Sequence, residues 1–190
     1  MTRKIVVSQY ASLDGVIEDP VGMENSGLGN WIGPFERGPK GDQFKHEELW
    51  ASTAVLLGRK TYDGFAAVWP TVNTEFAARI NSLPKYVASS TLTKADWNNS
   101  TVLADDVMGL IGKLKKDGQG DILVYGSASL VHAMLPLELV DEVRLMVYPT
   151  VLGRGKRWFP EGWKSQMHLS ECMTFGSGIV LLRYATSTNG

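Results

Sequence analysis

Residues 121–135 read DILVYGSASLVHAML, and this stretch decides the fold. An apolar run at 121–125 has the length and composition of a buried strand. Gly126 then breaks it, Ser127 opens a helix that runs to about 135, and Pro136 stops that helix. A strand that feeds directly into a helix is one βα unit. The same rhythm appears upstream: AVLLG at 54–58 precedes a helix over 60–68, which ends near Trp69-Pro70. A helix over 75–82 leads into strand 85–89, and Asp105 or Asp106 caps a helix through 115. The β-branched and aromatic stretch KIVVSQY at 4–10 forms the first strand, and 42–53 a helix for which Asp42 is a candidate N-cap. After Val140 the rhythm changes. Residues 142–149, 166–175 and 178–185 read as strands, the last two joined at Gly176-Ser177-Gly178. Alternating βα units followed by antiparallel strands imply a three-layer α/β sandwich with a mixed, mostly parallel central sheet.

The chain of 190 residues, 44% hydrophobic and 21% charged, fits a single soluble domain over 1–190. Nineteen basic residues against twenty acidic ones leave a formal charge of −1, which argues against a nucleic-acid binder with a basic face. Cys172 is the only cysteine, so neither an intramolecular disulfide nor a cysteine metal cluster can form; this suits a reducing cytoplasm. The first apolar run is too short for a signal peptide, and there is no apolar stretch of membrane-spanning length. Residues 19–41 are rich in Gly, Pro and Asn, with Trp31, Ile32 and Phe35 among them. A loop of that length with aromatics reads as a functional lid.

Three strand-to-helix transitions carry chemistry: Gly58-Arg59-Lys60-Thr61, Ser89-Ser90-Thr91 and Gly126-Ser127-Ala128-Ser129. In open α/β sheets, ligands bind at the carboxyl ends of the strands, where helix N-termini aim N–H groups and a positive dipole at anions. Gly126 allows close backbone approach, Thr61, Ser127 and Ser129 offer hydroxyls, and Arg59 and Lys60 add charge. Each turn alone is more simply a helix cap, and an Arg-Lys pair a solvated surface feature; three in succession ask for a phosphorylated cofactor. Other nucleotide motifs are missing. Gly27-x-Gly29-x-x-x-Gly33 departs from the dinucleotide fingerprint, and Gly153-Arg154-Gly155-Lys156-Arg157 lacks Walker spacing. His46, His132 and His168 are too dispersed for a metal site.

With these residues in view the chain resembles the dihydrofolate reductase-like superfamily, in particular the branch related to the reductase domain of bifunctional riboflavin-biosynthesis deaminase-reductases. The likeness runs from about residue 4 to 184. It rests on Ser12-Leu13-Asp14-Gly15, Leu57-Gly58-Arg59-Lys60-Thr61-Tyr62, Val124-Tyr125-Gly126-Ser127, and Asp141-Glu142-Val143 leading to Pro149-x-x-Leu152-Gly153-x-Gly155.

The resemblance implies NADPH as cofactor. Gly58, Arg59, Lys60 and Thr61 match the turn that meets the cofactor phosphates, and Ser89 and Ser90 the residues closing over the 2′-phosphate. Gly126, Ser127 and Ala128 match the turn under the pyrophosphate, where the family often has Gly-Gly joined by a cis peptide. Ser129 stands where some relatives carry a basic residue. Ile17 matches the residue covering the nicotinamide, and about 18–41 the mobile active-site loop. On the substrate side, Asp42 and Asp14 are the expected catalytic residues. Asp42 lies sixteen positions before Gly58, the separation of the acidic residue that binds the pterin in dihydrofolate reductases, where a carboxylate pins a ring and helps supply a proton. Asp14 matches the Ser-Leu-Asp-Gly aspartate, or closes a turn. Trp31 in the lid and His46, one helical turn after Asp42, complete the expected substrate side. The expected activity is hydride transfer from NADPH to a small heterocycle or ribosylamino-pyrimidine by a cytoplasmic homodimer. A true dihydrofolate reductase and a non-catalytic heterocycle-binding protein are the alternatives. No fused deaminase segment with a zinc signature is expected.

Overall fold

A computed structural model describes residues 3–186. Its eight strands are β1 (Ile5–Ser12), β2 (Ser52–Gly58), β3 (Lys85–Ala88), β4 (Ser100–Leu103), β5 (Asp121–Val124), β6 (Glu142–Tyr148), β7 (Met167–Thr174) and β8 (Val180–Thr186). They form one sheet in the order β4-β3-β2-β5-β1-β6-β8-β7. The first six neighbours run parallel, whereas β8 is antiparallel to both β6 and β7. The expected mixed, mostly parallel sheet is present. β1 lies between β5 and β6, with Val6 beside Leu123 on one side and Glu142 on the other. A central parallel strand is covered on both faces, which accounts for the unbroken apolar run Ile5-Val6-Val7, all buried.

The helices are α1 (Gly38–Ala51), α2 (Arg59–Val68), α3 (Glu75–Ser82), α4 (Val107–Lys116) and α5 (Ala128–Met134). Thr74 caps α3 by accepting from the Ala77 N–H, and Asp106 caps α4 by accepting from that of Gly109. A two-sided core results. Ile5, Val7, Ile122, Val124, Val131 and Met134 pack together on one side; Val6, Leu49, Val55, Leu57, Ile80 and Leu123 do so on the other.

Three expectations are corrected. The first helix begins at Gly38, not at 42: Gly38 turns the chain with a φ of +68°, and Pro39 fits the first turn, where its missing N–H costs nothing. Asp42 is therefore inside the helix and caps nothing, and the loop ends before it reaches 41. Residues 52–53 belong to β2 rather than to that helix. The edge strand β4 was not expected; its four residues, STVL, are too short to show a period.

The long loop has an internal frame. Asp19 is buried and accepts from the Glu24 N–H at 2.8 Å, the Ser26 N–H at 3.1 Å and the Ser26 hydroxyl at 2.8 Å. Trp31 is buried as well, donating from Nε1 to the Glu18 carbonyl and packing edge-on against Tyr148.

Candidate active site

Because the central strands are parallel, the ends of β2, β3 and β5 open on the same edge of the sheet. A cavity of about 1070 Å³ lies there, between those ends, α1 and the loop. This is at the upper end of the range of ligand pockets, roughly 300–1,000 Å³.

One wall is built from turns. The Gly58 N–H donates to the Gly126 carbonyl at 3.1 Å, so the turns after β2 and β5 touch. A Cβ on Gly58 would lie 2.1 Å from Ser127 Oγ, and one on Gly126, whose φ is +110°, 3.2 Å from Thr61 Oγ1. Both positions require glycine. The Gly126–Ser127 peptide is cis. The first turns of α2 and α5 have no side-chain cap, unlike those of α3 and α4, and their first residues line the cavity, where a helix start carries a partial positive charge. Arg59, Lys60, Thr61, Ser89, Ser90, Ser127, Ala128 and Ser129 all line this wall. Arg59 is held by Asp63, which accepts from Nε at 2.8 Å. Ser89 Oγ accepts from the Leu92 N–H at 3.0 Å and closes the turn after β3.

The other wall comes from β1 and α1: Ser8, Gln9, Tyr10, Asp42, Lys45 and His46, with Ile17 above and the aromatic rings of Phe65, Trp69, Phe76 and Tyr125 beside them. His46 stacks on Trp50 with centroids 3.6 Å apart. Asp42 sits at the exposed mouth, and its Oδ1 accepts from Arg37 Nε at 3.1 Å and Nη2 at 2.9 Å. Arg37 Nη1 also donates to the Tyr10 hydroxyl at 3.0 Å. Deeper in, Glu48 is wholly buried and takes hydrogen bonds from Lys45 and from the Ser8 hydroxyl, the latter at 2.9 Å. Tyr125 is pushed well above its usual pKa by burial and by the charge of Glu48. Three buried polar atoms of this lining, Gln9 Oε1, Trp69 Nε1 and the Tyr125 hydroxyl, have no hydrogen-bond partner within the protein.

Two expected substrate-side residues are absent from the cavity. Asp14 closes a turn instead: Oδ1 accepts from the Ser12 hydroxyl at 2.6 Å and the Leu152 N–H at 3.1 Å, and Oδ2 from the Gly153 N–H at 2.8 Å. Those donors, Ser12 first, hold its pKa down at about 2, so it stays ionised and engaged. Trp31 belongs to the packing under the loop. Sequence reasoning passed over Ser8, Gln9, Tyr10, Lys45 and Tyr125. A signal existed: three polar side chains in succession inside a strand buried on both faces. Among the described residues no cluster of His, Cys, Asp and Glu could hold a metal ion, and no helix is long and apolar enough to cross a membrane.

The family model described as the RibD C-terminal domain matches residues 3–181. The uncharacterised protein YyaP of Bacillus subtilis strain 168 is 31% identical over 194 residues, covering 96% of this chain and 94% of YyaP. Among solved structures, a Shewanella sp. PV-4 protein named for riboflavin biosynthesis has a TM-score of 0.77 at 17% identity, covering 98% of this chain and 99% of that one. Dihydrofolate reductase from Enterococcus faecalis, complexed with NADP(H) and RAB-propyl, has a TM-score of 0.63 at 15% identity over 98% and 99%. These two likenesses are of fold.

Proposed function

Because the chain belongs to the RibD C-terminal domain family, we propose that it is an NADPH-dependent oxidoreductase that reduces a small heterocycle of the ribosylamino-pyrimidine kind. The observation that carries this reading is the pair of bare glycine turns, Gly58 and Gly126, meeting beneath two uncapped helix starts on one wall of the cavity. The residues fit a dinucleotide: a cradle that any Cβ would fill, and an orphaned acceptor, Gln9 Oε1, between that cradle and Ile17.

In this reading Gly126, Ser127, Ala128 and Ser129 hold the pyrophosphate with N–H and hydroxyl donors. Arg59, Lys60 and Thr61, with Ser89 and Ser90, take the 2′-phosphate, and Ile17 covers the nicotinamide. The bound cofactor supplies the hydride. The protein supplies orientation: the loop excludes water, the aromatic wall flanks the acceptor ring beside His46, and Asp42 fixes Arg37 and through it Tyr10. A true dihydrofolate reductase is less well supported, because the Asp42 carboxylate is at the mouth and already engaged by Arg37. The protein acts in the cytoplasm, as a homodimer.

Titration of NADPH and NADH, followed by tryptophan fluorescence, tests the reading. One charge-assisted hydrogen bond lost with the 2′-phosphate is worth about 1.5–3 kcal/mol, so NADPH is expected to bind at least roughly tenfold more tightly. Equal affinity for the two, or binding of neither, overturns it.

A further inference from the structure

A row of alternating charges starts in the cavity and crosses the sheet. Lys45 pairs with Glu48; Glu48 Oε2 is 3.4 Å from Arg144 Nη1; Arg144 Nε donates to Glu142 at 2.6 Å; Arg183 pairs with Glu142 at 3.0 Å and with Glu171 at 2.6 Å. Glu48 thus serves two cations, and so does Glu142. Lys45, Glu48 and Arg144 are each more than nine-tenths buried. Stability alone does not account for such a set, since a buried ion pair is commonly no better than apolar side chains of the same volume.

Only Lys45 of this row reaches the cavity. Its ammonium carries three donors; two go to Glu48 and, at 3.1 Å, to the Ser8 hydroxyl. The group lies 4.7 Å from the Tyr125 ring centroid and 5.2 Å from that of Tyr10. Each of the three carboxylates of α1 is already engaged: Asp42 through its Oδ1 by Arg37 at the mouth, Glu48 by Lys45, Ser8 and Arg144, and Glu47, outside the cavity lining, by Gln43.

We propose that Lys45 is the recognition site for the second ligand, a flat ring whose oxo or ionised oxygen takes the remaining Lys45 N–H between Tyr10 and Tyr125. Glu48 is a positioning residue that holds the ammonium at that point. The inference rests on the reductase reading only for calling this ligand the hydride acceptor.

The test uses two planar bicyclic probes of similar size, followed calorimetrically with and without NADP+. One is 2-hydroxy-1,4-naphthoquinone, which carries an ionised oxygen at neutral pH; the other is 2,4-diaminoquinazoline, which presents amino donors. The naphthoquinone is expected to bind the wild-type protein at least ~10-fold more tightly than the quinazoline, in line with one charge-assisted hydrogen bond. Lys45→Met is expected to abolish that preference and Lys45→Arg to keep most of it, with thermal unfolding confirming that each variant is folded. The wild-type comparison needs no variant. Preference for the quinazoline, binding of neither probe, or a Lys45→Met protein that still prefers the naphthoquinone overturns the proposal. If NADP+ fails to bind while the Lys45-dependent preference holds, the reductase reading fails and the recognition site stands. If NADP+ binds and the preference ignores Lys45, the reverse is true.

Discussion

Asp14 was expected near the chemistry and instead locks the chain where the loop leaves β1. Its carboxylate gathers the Ser12 hydroxyl and the amides of Leu152 and Gly153, so it joins the end of β1 to the segment after β6. A carboxylate whose pKa is about 2 in the fold and 3.8 in the ordinary state binds protons more readily when the chain unfolds. Its stabilising contribution is therefore fully present above about pH 4 and is lost as the pH falls through 2. Urea denaturation at pH 7, 4 and 2.5 should show the wild-type protein losing stability across that window more steeply than Asp14→Asn, with the variant less stable at pH 7. Parallel slopes for the two proteins would exclude the role. The same sequence signature, Ser-Leu-Asp-Gly, supports either a catalytic or a turn reading. Only the position of Leu152 and Gly153, distant in the chain, decides between them.

At the scale of the element, α3 ends on a buried cation. Lys85, at the start of β3, has no exposed surface, and its Nζ donates to the carbonyls of Ile80, Asn81 and Leu83 at 2.8–3.1 Å while facing the Trp97 ring. Burial pulls its pKa down to about 8, yet three carbonyls at a helix C-terminus favour the charged form. Replacing it with Met leaves those carbonyls unsatisfied but removes the cost of burying a charge. Weighing about 1.5–3 kcal/mol for a hydrogen bond to a charged group against that relief, Lys85→Met should cost about 2 kcal/mol. In a protein of this length that lowers Tm by roughly 4–8 °C, measurable by calorimetry; an unchanged Tm would show the lysine to be dispensable. Lys85 also shows where the sequence becomes opaque. The βα rhythm, the helix over 75–82 and the C-terminal hairpin are written in local periodicity and turn residues, and so are the glycine turns at Gly58 and Gly126. The partners of Lys85 and Asp42 lie within five residues in the chain, but only the end of α3 and the start of α1 turn those neighbours toward them. Lys45 meets Ser8 and Tyr125 because the sheet order brings β1 and the end of β5 to α1, and no local pattern carries that. Asp42 matched a spacing, but Arg37 engages it. Lys45 carries no signal in its own stretch of sequence; Ser8 and Tyr125, distant in the chain, close around it.

For the whole molecule the sheet order leaves an exposed edge. β7 lies outermost, next to β8 only, and along its eight residues Leu169 is 46% exposed, with His168, Ser170 and Cys172 also open to solvent. The opposite edge, β4, is half as long and offers less to pair. Unpaired edges attract other strands unless shortened, charged or bulged. β7 has one such guard, the register shift between Leu169 and Glu171, and the charge of Glu171 is neutralised by Arg183. Two copies related by a two-fold axis could place their β7 strands side by side, covering both edges with one self-complementary contact. The expected assembly is thus a homodimer built on β7, at the end of the sheet away from β3 and its turn, so each copy keeps a complete cavity. Sedimentation at micromolar concentration should return the dimer mass. Leu169→Arg, which introduces a charge where the two copies would meet, should shift the distribution toward monomer and leave NADPH affinity unchanged, because no part of β7 lines the cavity. A wild-type monomer would refute the assembly, and a dimer indifferent to Leu169→Arg would move the interface to another face.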